Sequence, residues 1–130
     1  MAKPSKTNLT TQHVLKHLFT AGVFAWRSNV LPVPIHRGGI VTGFRSGSKQ
    51  GVPDIMGIIP AGLCGFRGVG NNYARPLYVE IKTGKDKLRD EQIGFIQTAT
   101  RMGALVLIVK DFEDFLIKWN TFYARVTPTP

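Results

Sequence analysis

Three residues of types able to do acid–base and electrostatic chemistry stand at strand spacing: Asp54 after Gly51-Val52-Pro53, and Glu80 and Lys82 within Val79-Glu80-Ile81-Lys82. Side chains alternate along an extended strand, so Glu80 and Lys82 share one face while Val79 and Ile81 share the other. A carboxylate and an ammonium in the middle of an apolar strand are costly to bury unless paired or functional. If the strand that opens at Asp54 pairs antiparallel with that of Glu80, the two carboxylates lie side by side. A divalent cation relieves their repulsion, and oxygen-only ligands select Mg²⁺ or Mn²⁺ over zinc. Such an ion offsets phosphate charge and acidifies a bound water, with Lys82 placed to orient that water or offset transition-state charge. That is the chemistry of phosphodiester hydrolysis. The plainer reading is a solvated Glu-Lys pair with Asp54 as a turn residue.

The distribution of charge favours the first reading. Through Lys85 the chain carries eleven Lys and Arg and only two acids, Asp54 and Glu80. From Asp86 onward six bases balance six acids, so the whole net charge of +9 belongs to the earlier stretch. A surface selected for solubility alone intersperses the signs. A pI near 10.1 points to a polyanion, nucleic acid before membrane. No apolar run approaches the roughly 20 residues of a spanning helix. The start lacks the apolar segment of a signal peptide, and the lone Cys64 suits a reducing compartment, so a cytoplasmic location is expected. Cys64 has no acid or histidine beside it and is expected to be an inert thiol. With no cysteine pair and scattered His13, His17 and His36, zinc has little support.

The elements that must position these residues follow from periodicity. Residues 12–20 read as a helix with Val14, Leu15, Leu18 and Phe19 on one stripe, N-capped from Asn8–Thr11 and stopped by Gly22. Residues 23–29 read as a strand, with Phe24 and Trp26 expected in the core. A Gly-, Pro- and base-rich segment over 30–51 holds only Ile40-Val41 as an extended piece. Strands follow over 52–59 and 77–82, joined by a long loop. Residues 86–102 read as a helix with Leu88, Ile93, Ile96 and Ala99-Thr100 on its stripe. The apolar run 104–109 reads as a strand buried on both faces, expected to be central because its connection crosses over. A last short helix covers 112–120. The expectation is one α/β domain over residues 1–130, a mixed central sheet flanked by helices in the order α-β-β-β-α-β-α, with 1–8 and 127–130 as flexible tails.

In this arrangement Gly51-Val52-Pro53-Asp54, Glu80-Ile81-Lys82 and Gln92 early in the following helix resemble the PD-(D/E)XK nuclease superfamily. More narrowly the chain is similar to the virus-type replication-repair nuclease (VRR-NUC) domain, over about residues 10–110. The resemblance implies a restriction-endonuclease-like α-β-β-β-α-β core. It implies Asp54, Glu80 and the Ile81 carbonyl as ligands of Mg²⁺ or Mn²⁺, Lys82 as the catalytic lysine, and Gln92 reaching toward the site or the scissile phosphate. Many members add a first-helix glutamate to the metal shell. Here that helix holds no acid, and Gln12 is the nearest polar residue.

The substrate-binding residues expected are Arg37, Arg45, Lys49, Arg67 and Lys85. The first three lie among glycines just before Asp54, and Arg67 lies in Gly65-Phe66-Arg67-Gly68-Val69-Gly70, where Phe66 is placed to stack on a base. No helix carries an Arg/Asn/Gln cluster for base-edge readout, so selectivity for DNA structure is expected. The resemblance implies Holliday-junction cleavage by a homodimer, since two symmetric nicks call for a two-fold axis. A flap-type or restriction-like nuclease and a non-catalytic DNA-binding module are the alternatives. An RNA-binding ribosomal-type protein explains the charge but not Asp54 and Glu80.

Overall fold

The computed structural model describes residues 5–28, 33–45, 51–64 and 73–126. Its main sheet has four strands: β1 (Phe24–Arg27), β4 (Ile55–Ile59), β5 (Arg75–Ile81) and β6 (Leu105–Val109), in the spatial order β1-β4-β5-β6. β1, β4 and β5 pair antiparallel, and β6 joins β5 in parallel. The protein is thus an α/β structure with a mixed sheet. The crossover expected before β6 is present, but β6 forms an edge rather than the centre. Its apolar run reflects helices on both faces, which an edge strand can have as readily as a central one.

Two helices cover one face. In α1 (Lys6–Thr20) the stripe Thr10, Thr11, Val14 and Leu18 is buried, while Phe19 points to solvent. The helix starts earlier than its apolar pattern because the Ser5 hydroxyl accepts the Asn8 amide at 3.1 Å. Residues 6–8, expected within a tail, are therefore its first turn. The other helix, α4 (Phe112–Val126), runs past the expected end at Asn120 and buries Phe115, Trp119 and Phe122. Asp111 accepts the Asp114 amide at 2.7 Å and caps its start. These side chains meet Ile55, Ile59, Leu77, Val79, Ile81, Leu107 and Val109 in one cluster. At Gly57 a Cβ would lie 2.9 Å from both the Ala25 Cβ and the Phe24 carbonyl, so β1 and β4 approach closely there.

The opposite face carries α3 (Asp90–Arg101), with Phe95 edge-on to Tyr78 at 5.0 Å. α3 begins four residues later than expected, and its inward residues are Gln92, Phe95, Ile96 and Ala99 rather than a stripe through Ile93, which is 39% exposed. Register places Phe24 and Trp26 on this face too, beside Ile58 and Met56. They are 69% and 40% exposed, so the expected core placement is wrong. α3 lies over the β5–β6 half of the sheet and leaves these rings uncovered.

Two further pieces were not expected. Val33–Arg37 (β2) and Ile40–Arg45 (β3) form a separate hairpin inside the segment read as irregular. Gly38 and Gly39, with φ of 61° and 77°, make the two-residue turn that glycine alone adopts without strain. The long loop after β4 opens with a one-turn helix, α2 (Ala61–Cys64), and β5 begins at Arg75 rather than Leu77. The Cys64 side chain and the tail from Thr127 lie outside the described residues.

Candidate active site

Antiparallel pairing of Ile55 with Val79 carries on by one step to set Asp54 opposite Glu80. The side chains bear this out. The Ile81 amide, beyond the last paired residue of β4, donates to Asp54 Oδ2 at 2.8 Å. Asp54 therefore completes the ladder with its carboxylate where the strand's own backbone stops. Its carbonyl accepts the Ser28 amide at 2.9 Å, which ties the same residue to the end of β1. Pro53 comes opposite Ile81 in this register and has no N–H to donate to the Ile81 carbonyl.

Glu80 is 4% exposed and held from two sides. Lys82 Nζ lies 3.6 Å from Glu80 Oε1, as expected for neighbours on one face of a strand. Gln92 Nε2 donates to the same oxygen at 2.9 Å. The Gln92 carbonyl oxygen accepts the Arg89 amide at 2.9 Å, at the start of α3. Because that oxygen is committed to a backbone N–H, the amide group has one orientation, with its NH₂ toward Glu80. Gln92 is itself 5% exposed, so it faces the site rather than solvent.

Burial, and next the Asp54 charge, push the Glu80 carboxyl from 4.5 up to about 7, against the lowering effect of Lys82 and of the Asp54 backbone. A buried carboxyl beside a second acid resists ionisation, and a cation shared by the two removes that resistance. The oxygen donors brought together are the Asp54 and Glu80 carboxylates. Paired carboxylate oxygens are donors of the kind hard divalent cations accept. Among the described residues no three His, Cys, Asp or Glu side chains come together.

The first helix meets the chain just after β5 with threonine rather than glutamine. Thr7 and Thr83 share a hydrogen bond of 2.9 Å, one residue beyond Lys82. Gln12 sits on the exposed side of α1. Nothing in the hydrophobic pattern marks Thr7, because it acts at the helix start, ahead of the apolar stripe.

Gly51 makes a close backbone approach to α3. Its φ is +83°, and a Cβ there would lie 2.2 Å from the Glu91 carbonyl oxygen of α3. The chain leading to Asp54 thus rests directly on the backbone that precedes Gln92. Gly51 links the two sides of the site by contact.

The expected substrate-binding bases are only partly gathered. Lys85 is exposed in the turn closed by the Asp86 amide on the Thr83 carbonyl, just past Lys82. Arg37 is exposed beside the hairpin turn, paired with Ile40, whereas Arg45 ends β3 opposite Val33. These positions lie at opposite ends of the hairpin. Lys49, Arg67 and Phe66 lie outside the described residues. Two other bases are engaged in the fold: Arg27 donates to Asn8, and Arg75 donates to the Gly103 carbonyl while lying over Phe122.

Among the described residues no helix is long and apolar enough to cross a membrane. Comparison of the chain with protein-family models, with curated proteins and with solved structures returned no match.

Proposed function

We propose that this chain is a Mg²⁺- or Mn²⁺-dependent endodeoxyribonuclease of the PD-(D/E)XK type, similar to the VRR-NUC domain, acting on branched DNA. The observation that carries the reading is the buried Glu80 carboxyl, set opposite Asp54 and held by both Lys82 and Gln92. The order α1-β1-β4-β5-α3-β6, with the hairpin inserted after β1, agrees with the restriction-endonuclease-like core that the resemblance implies. The basic charge supplies the affinity for a polyanion.

Asp54, Glu80 and the Ile81 carbonyl would hold the cation. When bound, it neutralises phosphate charge and lowers the pKa of a coordinated water. The chain's own residues then divide the remaining work. Gln92 fixes the Glu80 carboxyl through Oε1 and so would hold it in one orientation toward the cation. The Ile81 amide fixes Asp54 in the same way. Lys82, 3.6 Å from Glu80 Oε1, sets a positive charge beside the acids, where it would orient an attacking water or offset charge developing on the phosphate. The finer reading is Holliday-junction resolution by a homodimer, with one such site for each of two symmetric nicks.

A DNA-binding module that does not cut is the second reading, favoured by the lack of a third acid at the site among the described residues. Labelled four-way junction, flap, nicked and linear duplex DNA, incubated with Mg²⁺, Mn²⁺ or EDTA, separate the possibilities. Paired symmetric nicks on the junction are the expected result, and flap cutting favours the related flap enzyme. Asp54→Asn, Glu80→Gln and Lys82→Ala should each abolish cleavage while junction binding persists. Tight binding with no cutting in either metal rejects the nuclease.

A further inference from the structure

The uncovered half of the sheet lies next to the acid pair. Strand register places Trp26 opposite Met56, and Met56 opposite Tyr78, in a single row across β1, β4 and β5. The next row on the same face, two residues along, is the one that contains Asp54 and Glu80. The spacing of such rows is about 7 Å. Phe24 follows one row further from the acids, and its ring leans against Trp26 with centroids 5.1 Å apart and planes at 53°. Both rings are exposed although β1 pairs with β4 along its whole length. Large rings left in water beside a cluster of polar groups mark a binding surface rather than a core that failed to close.

We propose that Trp26, supported by Phe24, is a stacking platform for an unpaired base of the DNA strand whose phosphate lies at Asp54 and Glu80. The inference rests on the nuclease reading of that acid pair and adds to it the class of substrate: DNA with at least one unstacked nucleotide beside the cut. Three observations select a base as the occupant. The net charge of +9 favours a polyanion over an apolar partner. The face presents rings, whose flat surfaces match any base without regard to sequence. A second copy of the chain seated here would also cover the acid row one step away and shut out its substrate. In a duplex every base is stacked and paired, so Trp26 has nothing to receive; at a branch point or in a flap an unpaired base can turn out onto the ring.

Intrinsic fluorescence tests this directly. The chain has two tryptophans, and Trp119 is 1% exposed, so emission that responds to ligand comes from Trp26. The full-length protein is titrated in EDTA, which prevents cutting, with a short oligothymidylate and with a blunt, fully paired linear duplex of equal nucleotide number at one salt concentration. Expected are quenching by oligothymidylate but not by duplex, and about a tenfold loss of oligothymidylate affinity in Trp26→Leu. Trp26→Phe, which keeps a ring, should restore most of that affinity. Equal binding of the two DNAs without quenching overturns the proposal. So does an emission change that follows protein concentration without DNA and coincides with dimer formation in sedimentation, because a second copy then occupies the face. Cleavage is scored separately with Mg²⁺ and Mn²⁺. Cutting without quenching rejects the platform alone, and quenching without cutting rejects the nuclease alone.

Discussion

Gln92 donates to Glu80 Oε1 at 2.9 Å while its own carbonyl oxygen caps the helix that carries it. One amide thereby joins the start of α3 to the acid at the centre of the sheet. Replacing Gln92 by Leu removes both bonds at once and leaves a buried carboxyl between the Asp54 charge and Lys82. The expected loss is about 1–3 kcal/mol of stability, read as a lower urea midpoint with an unchanged slope. Gln92→Glu keeps the acceptor at the cap but turns an oxygen toward Glu80. It should be destabilised in EDTA at pH 8 and recover with Mn²⁺ more than the parent protein does. A Gln92→Leu protein as stable as the parent would show that the bond to Glu80 carries no weight.

The raised Glu80 carboxyl sets the sign of a pH effect. Its pKa is about 7 when folded, against 4.5 as the ordinary value. The folded state therefore binds this proton more tightly, and the stability so contributed is fully present below pH 4.5. It is lost as pH rises through about 7, by about 3 kcal/mol in all at 1.36 kcal/mol per unit. Metal-free protein should lose stability between pH 5 and 8, measured by urea unfolding. Glu80→Gln cannot ionise, so it should remove this part of the slope and be more stable than the parent at pH 8. Parallel profiles for the two proteins would mean that Glu80 ionises freely in the fold.

Cation and proton compete for the same carboxylate. Mg²⁺ or Mn²⁺ should raise the thermal midpoint at pH 8 and do so much less at pH 5, where Glu80 is protonated. Each ion bound at pH 7 should also release part of a proton, measurable by calorimetry in buffers of different ionisation enthalpy. Asp54→Asn and Glu80→Gln should both lose the stabilisation. If Asp54→Asn responds to Mn²⁺ as the parent does, the ion binds elsewhere and the assignment of Asp54 as a ligand fails.

The placement of Glu80 and Lys82 on one face was legible because strand geometry leaves no other choice once Val79 and Ile81 are apolar. The position of Asp54 opposite Glu80 was legible because the apolar pattern of residues 55–59 and 77–81 sets the register. The exposure of Phe24 and Trp26 was not. Alternation assigns residues to faces, but which face a helix covers depends on where α3 lands. Nor does an apolar run tell an edge from a centre, so β6 was misplaced. The hairpin did carry a signal, Gly38-Gly39 between extended pairs, masked by Pro34 and by the basic residues around it. The late start of α3 depends on the side chain of Gln92, a local bond that periodicity does not register.

Gly51 gives the sharpest test of how the site is held together. A methyl group there meets the Glu91 carbonyl at 2.2 Å, and the backbone angle of +83° is itself unfavourable for any residue with a Cβ. The obstacle is main chain, so no side chain can swing aside to relieve it. Strain and overpacking together should cost about 3 kcal/mol in Gly51→Ala. The structure can yield by moving the start of α3 away from Asp54, which draws Gln92 off Glu80. Lower stability should therefore be accompanied by a lower Glu80 affinity for its Gln92 partner, seen as faster hydrogen exchange at the Arg89 amide. Cleavage should fall at saturating DNA and temperatures where the variant is fully folded, whereas Gly62→Ala, with open space around its Cβ position, should leave both properties unchanged. Equal behaviour of the two alanine variants would show that the approach of Gly51 to α3 does not position the site.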